Sequence, residues 1–218
     1  MRFTRSLVAA AAGVALAASA LTGVGAATAA PAATPTVTTL GTKPLAAVVT
    51  PYASTWNTSW NDYNIVTHAV FAVLKAKPTS KVGVLAKGDV ALTAFLPTDR
   101  AFQILVKQLT GKTLLREREV FGVVAKLGIP TVEKVLLYHV VPGATITSAM
   151  ALKSNGATLR TALGLTIHVA VYPGPVISLW DKAYKFRNPR VILSQLDINK
   201  GNKQIAHGID RVLLPFQP

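Results

Sequence analysis

The stretch from Ala91 to Phe102, ALTAFLPTDRAF, constrains this chain more tightly than any other. Leu92, Ala94, Phe95 and Leu96 suit a buried strand, which stops at Pro97. Thr98 stands where an N-cap is needed, and Asp99 at the first helical position sits against the positive end of the helix dipole. Ala101, Phe102, Leu105, Val106 and Leu109 then form one apolar stripe until Gly111 ends it. A buried strand delivered straight into a helix is the unit around which the other segments must pack.

Upstream, Asp62 is read as the cap of a helix with Ile65, Val66, Ala69, Val70, Val73 and Leu74 on its apolar side, ended by Lys75, Lys77 and Pro78. His68 shares the polar side with Asn64 and Lys75, which predicts a solvated histidine. Lys81 to Asp89 reads as a loop. Beyond Gly111, Lys112, Arg116, Arg118 and Lys126 stand against Glu117 and Glu119 around a short apolar run from Val120 to Leu127, which predicts a solvated, mixed-charge face. Thr131 is placed to cap a further helix that ends near Tyr138 and His139.

After His139 the pattern turns to strands. Leu165, Ile167, Val169 and Val171 alternate with Thr166, His168 and Ala170; Pro173-Gly174-Pro175 turns the chain and Val176 to Trp180 pairs back. Val191 to Leu193, Asp197-Ile198, Gln204 to Ile209 and Arg211 to Leu214 are expected to supply the last strands. Helices before His139 and strands after it make an α+β domain.

With 50% hydrophobic residues the chain can build a sizeable core, but its first residues inflate that figure. Arg2 and Arg5 precede an apolar run from Leu7 to about Leu21, and small residues end near Ala27-Thr28-Ala29. This predicts a secretory signal peptide over residues 1–30, Ala-rich in the bacterial manner, and hence a secreted, extracellular protein. Residues 31–55, rich in Ala, Thr and Pro, are expected to form a flexible arm, and residues 56–218 the folded domain. Trp56 and Trp60 are read as anchors of that arm, with a sugar- or lipid-binding aromatic pair as the alternative.

With no cysteine, disulfides, thiol nucleophiles and cysteine metal sites are excluded. The chain carries 23 Lys and Arg against 9 Asp and Glu, a formal charge of +14. Without Arg2 and Arg5 the basic count is 21, leaving about +12. Such a surface draws polyanions. Outside a cell these are acidic polysaccharides, anionic envelope polymers or lipid headgroups, and nucleic acid is not expected. Charge that serves solubility alone is the competing reading.

The segment from Asp181 to Arg190 is the best candidate for a binding surface. It collects Lys182, Lys185, Arg187 and Arg190 with Tyr184 and Phe186 between them, so that cations meet anionic groups while rings cover apolar faces. Catalytic constellations are missing from the sequence: there is no G-x-S-x-G elbow, no H-E-x-x-H spacing, no glycine-rich phosphate loop and no run of clustered carboxylates. His139 and His207 are each flanked by apolar residues and are read as ties between segments; Asp99 and Asp210 are read as caps or acceptors of backbone N–H groups.

Three stretches, Ala91 to Phe102, LYHVVPG at Leu137 to Gly143 and QIAHGIDRVLLP at Gln204 to Pro215, together resemble the fasciclin-like domain family. They match, in order, its strand-to-helix motif with Thr98 and Asp99, its tyrosine-histidine motif with Tyr138 and His139, and its closing motif with His207 and Asp210. Against simple members the region from Gly111 to Ile129 looks enlarged, and Asn202-Lys203-Gln204 replaces a usual Asn-Gly turn. The resemblance implies an α+β fold, a wedge or sandwich of about seven strands with several helices packed at one side. It also implies a non-enzymatic, secreted adhesion or envelope- and matrix-binding module without cofactor or metal, expected to be monomeric. In some animal members the tyrosine-histidine region is implicated in receptor contact. The expected partners are extracellular or envelope anionic polymers or surface proteins. The alternative is a carrier with a closed apolar pocket of several hundred cubic ångströms for a small apolar or lipid ligand.

Overall fold

A computed structural model of the protein describes residues 39–54 and 56–218. The expected signal peptide and residues 31–38 lie outside the described residues. No helix among the described residues is long and apolar enough to cross a membrane.

The helical part comes first. After α1 (Leu45–Val49) and a 3-10 turn at Thr50–Ala53, α2 (Asn64–Ala76) runs to Lys77, and a second 3-10 helix follows at Lys81–Ala86. Strand β1 (Leu92–Pro97) then passes directly into α3 (Asp99–Thr110), whose N-cap is Thr98 and whose stop is Gly111 at φ 73°. α4 (Glu117–Lys126) and α5 (Ile129–Tyr138) complete the helical layer. The remaining elements are β2 (Val140–Pro142), the short α6 (Ser148–Ala151), β3 (Thr158–Arg160), β4 (Thr166–Tyr172), β5 (Val176–Trp180) and β6 (Gln204–Ile209).

Two three-stranded sheets result, with strand orders β2-β1-β6 and β3-β4-β5. β1 is the middle strand of the first, antiparallel to β2 and parallel to β6, with Leu92 opposite Gln204 and Pro97 opposite Ile209. All six β1 residues are buried, as a strand covered on both faces must be. Its alternate residues serve two cores. Leu92, Ala94 and Leu96 pack with the helices, whereas Phe95 joins Ile167, Val169, Ile177 and Leu179 of the second sheet.

Several expectations change. Six strands are found among the described residues, not about seven. Arg211–Leu214 forms no ladder because its N–H groups go to side chains: Leu213 donates to His139 and Leu214 to Asp181. Val191 and Ile198 make only isolated bridges, and the chain turns beside the second of these through Asp197 (φ 53°) and Asn199 (φ 66°). Over residues 39–54 the expected arm is instead part of the domain. Gly41 bridges to Asn202, Leu45 is 1% exposed, and the Leu45 N–H donates to Gln204 Oε1 at 2.8 Å. Small apolar residues concealed this packing in the composition. α5 starts at Ile129 with Pro130 in its first turn, so Thr131 is inside the helix and is not its cap; proline fits there because a first-turn N–H has no helical partner.

Candidate functional site

The expected binding loop is held from both ends. Asp181 accepts N–H groups from Ala183 (2.9 Å) and Leu214 (2.8 Å), and burial pushes its carboxyl above the usual range. At the far end the Arg190 N–H donates to Asp210 Oδ1 at 2.7 Å, while Asp210 Oδ2 accepts from Arg211 at 3.0 Å. Between these anchors Lys182, Tyr184, Lys185 and Arg187 are exposed, as is Arg190 at the far anchor; Tyr184 reaches 78%. Among the described residues no carboxylate pairs with the four cations. Phe186 departs from expectation: it is half-buried, with its ring packed against the helical core. Tyr184 is the exposed aromatic of the loop.

Tyr138 and His139 are interior. Tyr138 is fully buried and its hydroxyl donates to the Thr166 carbonyl at 2.9 Å. The Leu213 N–H donates to His139 Nε2 at 3.0 Å, so the proton is on Nδ1, which donates to the Val135 carbonyl at 2.7 Å. Burial lowers this imidazole to about 4. A receptor contact through these two side chains does not fit their burial.

His207 does the same work on β6. The Asp197 N–H donates to Nδ1 at 3.3 Å and Nε2 donates to the Ile146 carbonyl at 2.8 Å. Ser148 is near, but its hydroxyl donates to Asp197 Oδ2 at 2.8 Å and its N–H to Oδ1 at 2.7 Å. The order is serine, aspartate, histidine, with no serine–histidine bond and both ring nitrogens committed to backbone. A hydrolytic relay requires the histidine to receive the serine's proton, and this arrangement gives it no path.

A carboxylate cluster forms that the sequence spacing conceals. Asp62, Asp99 and Glu117 come from three segments, and an oxygen of each lies within 4.8 Å of the others. Asp99 Oδ2 and Oδ1 accept the N–H groups of Asn64 (3.0 Å) and Ile65 (2.7 Å), so the cap of α2 is Asp99 and not Asp62. Glu117, expected on a solvated face, is 1% exposed; its Oε2 accepts from Asn57 N–H and Asn64 Nδ2. Burial, then the neighbouring Asp62 side chain, pushes Asp99 up to about 9 against the lowering by the Ile65 N–H. These three residues form the group among the described residues that could hold a metal ion. No local sequence pattern could reveal the cluster, since its members come from segments far apart in sequence.

His68 is also not solvated. Trp56 stacks on it, ring centroids 4.0 Å apart, and burial lowers its imidazole. Trp56 and Trp60 both pack on the helical core, although the turn between them is not helical. Under α3 and α5 lies an apolar cavity of about 90 Å³, walled by Leu105, Leu109, Val132, Leu136 and, from the chain end, Phe216. It is well below the several hundred cubic ångströms expected of a lipid pocket.

Among solved structures, the chain is similar to a FAS1 domain pair from the insect cell adhesion molecule Fasciclin I, at 18% identity and a TM-score of 0.48, over 68% of this chain and 46% of that one. It thus spans about half the length of that structure. No curated protein matches the chain. The fasciclin domain model matches residues 66–215, a range that takes in β1 and α3, the Tyr138–His139 tie and the closing strand with His207 and Asp210. A match over most of the chain, through the segments that build its two cores, establishes that the chain belongs to the fasciclin domain family.

Proposed function

We propose that this chain is a non-enzymatic extracellular adhesion module whose basic surface binds acidic polymers. Fasciclin domains are generally found in adhesion and extracellular proteins. The observation that carries the polymer reading is the loop of Lys182, Lys185, Arg187 and Arg190, exposed, without carboxylate partners among the described residues and pinned by Asp181 and Asp210. A loop whose backbone is already held loses less conformational freedom on meeting a chain of anions, and the attraction is screened by salt.

The test is binding to an immobilised sulfated polysaccharide as salt is raised. The native protein should elute later than the variant with all four cations changed to Ala. Equal elution of the two removes the loop from the function, and failure of the native protein to bind at low salt removes the polymer reading. The alternative, carriage of an apolar ligand, is disfavoured by the small volume of the cavity under α3 and α5. Native mass spectrometry that shows a co-purifying apolar mass would favour it.

A further inference from the structure

A second basic feature, unrelated to the loop in sequence, lies on the helical side. A groove of about 890 Å³ runs between the 3-10 helix Lys81–Ala86 and the turn that joins β3 to β4. Lys81 and Lys87, from the two ends of that 3-10 helix, and Arg160, from β3, line it, and all three are exposed. A depression of about 660 Å³ continues it, sharing Pro78 to Lys81 and Ala162-Leu163 as common walls and adding Lys77, Lys134 and Glu133.

The charges along this path are one-sided. Among the described residues Glu133 is the one carboxylate in either wall, and it is already matched: Lys77 Nζ lies 2.6 Å from its Oε2 and the Ser80 hydroxyl donates to Oε1 at 2.7 Å. Those two contacts hold the Glu133 carboxyl below its usual range. Lys81, Lys87, Lys134 and Arg160 have no carboxylate partner among the described residues. Four unmatched cations therefore border one continuous concave path, where field lines concentrate.

We infer that this groove seats a single chain of an acidic polysaccharide, which rests on the proposed polymer-binding function and gives it a second, distinct site. Shape and lining select the class. A membrane surface is flat and cannot enter a concave path. Single-stranded nucleic acid needs aromatic platforms for its bases, and among the described residues no aromatic side chain lines either part. A narrow chain with an anion on each sugar or every second sugar can follow the row of cations. Gly83, Gly164 and Ala162 keep the walls low, so that sugar rings can approach the backbone.

The experiment uses the full chain, a soluble sulfated hexasaccharide as probe, and the variant Lys81→Ala/Lys87→Ala/Arg160→Ala. These side chains are on the surface, so thermal melting should match the native protein. The triple variant should bind the hexasaccharide about tenfold more weakly, as expected for the loss of three exposed ion pairs. Glu133→Gln, which frees Lys77, should bind it more tightly. Native-like affinity of the triple variant, with affinity lost instead in the 182–190 loop variant, would overturn the groove and leave the polymer reading standing. Absence of hexasaccharide binding by the native protein would overturn both. Loss in the triple variant of binding to anionic-lipid vesicles or to oligothymidylate, with hexasaccharide binding kept, would overturn the polysaccharide assignment.

Discussion

Asp99 and Ile65 join the starts of two helices: the carboxylate in the first turn of α3 accepts the N–H of Ile65 in the first turn of α2 at 2.7 Å. The exchange is mutual, because the Asp99 N–H donates to the Asp62 carbonyl just before α2. Each helix thus satisfies N-terminal donors that the other leaves open. The cost is a buried carboxyl close to Asp62 and Glu117.

This geometry predicts a pH dependence. Asp99 titrates at about 9 in the fold against an ordinary 3.8, so the folded chain holds a proton that the unfolded chain releases. Its stabilising contribution is complete below about pH 4 and is lost as pH rises through about 9. Asp99→Asn keeps an acceptor for α2 and a donor toward Asp62 but has nothing to titrate. The native melting temperature should therefore fall more steeply than the variant's from about pH 6 to about pH 9. Parallel curves would mean that Asp99 is ionised in the fold.

His139 acts in the opposite sense. Its folded value of about 4 lies below the ordinary 6.5, so the unfolded chain takes up the proton first, and stability present above about pH 6.5 is lost as pH falls toward 4. His139→Phe should remove that part of the acid slope. It should also cost about 1–3 kcal/mol at neutral pH, because the Leu213 N–H and Val135 carbonyl lose their partner. Because Asp99 opposes His139 between about pH 4 and 6.5, the difference between native and variant urea midpoints is the quantity to compare. A constant difference across that range would contradict the neutral ring.

Gln204, wholly buried at the start of β6, holds residues 39–54 to the domain. Its Oε1 accepts the Leu45 N–H, and its Nε2 donates to the carbonyls of Val84 (2.9 Å) and Lys87 (2.7 Å). Gln204→Leu keeps the approximate size and strands the Leu45 N–H, while the Val84 and Lys87 carbonyls keep the N–H groups of Lys87 and Val90, so a loss of about 1–3 kcal/mol is expected in urea unfolding. Limited proteolysis should then cut near Leu45 before the rest of the chain. Native-like resistance there would show that the segment is held by apolar contact alone.

Gly208 in β6 has no room for a side chain. A Cβ there would meet Gln195 Oε1, and the Tyr63 hydroxyl at 2.6 Å, two atoms that are themselves bonded at 2.9 Å. Gly208→Ala should separate them and destabilise the protein by about 1–3 kcal/mol, read as a lowered melting temperature. An unchanged melting temperature would show that the Tyr63–Gln195 pair can yield freely.

Local patterns in the sequence determine the strand from Leu92, the Thr98 cap, the Gly111 stop, the alternation from Thr166 to Tyr172 and the turn at Pro173-Gly174-Pro175. Each of these follows from neighbours within a few residues, and periodicity reports such relations directly. The ties of His139 and His207 are legible in the same way, as lone polar residues in apolar runs that must find partners. The closeness of Asp62, Asp99 and Glu117, the capture of Leu45 by Gln204, the burial of Phe186 and the basic groove from Lys134 to Arg160 depend instead on the tertiary structure. Each joins segments tens of residues apart, and composition can neither place a charge opposite another nor say which small apolar residues find a core. The physical reason is that hydrogen-bond and charge partners are set by where the chain returns in space, which only the packing of β1 between two cores decides.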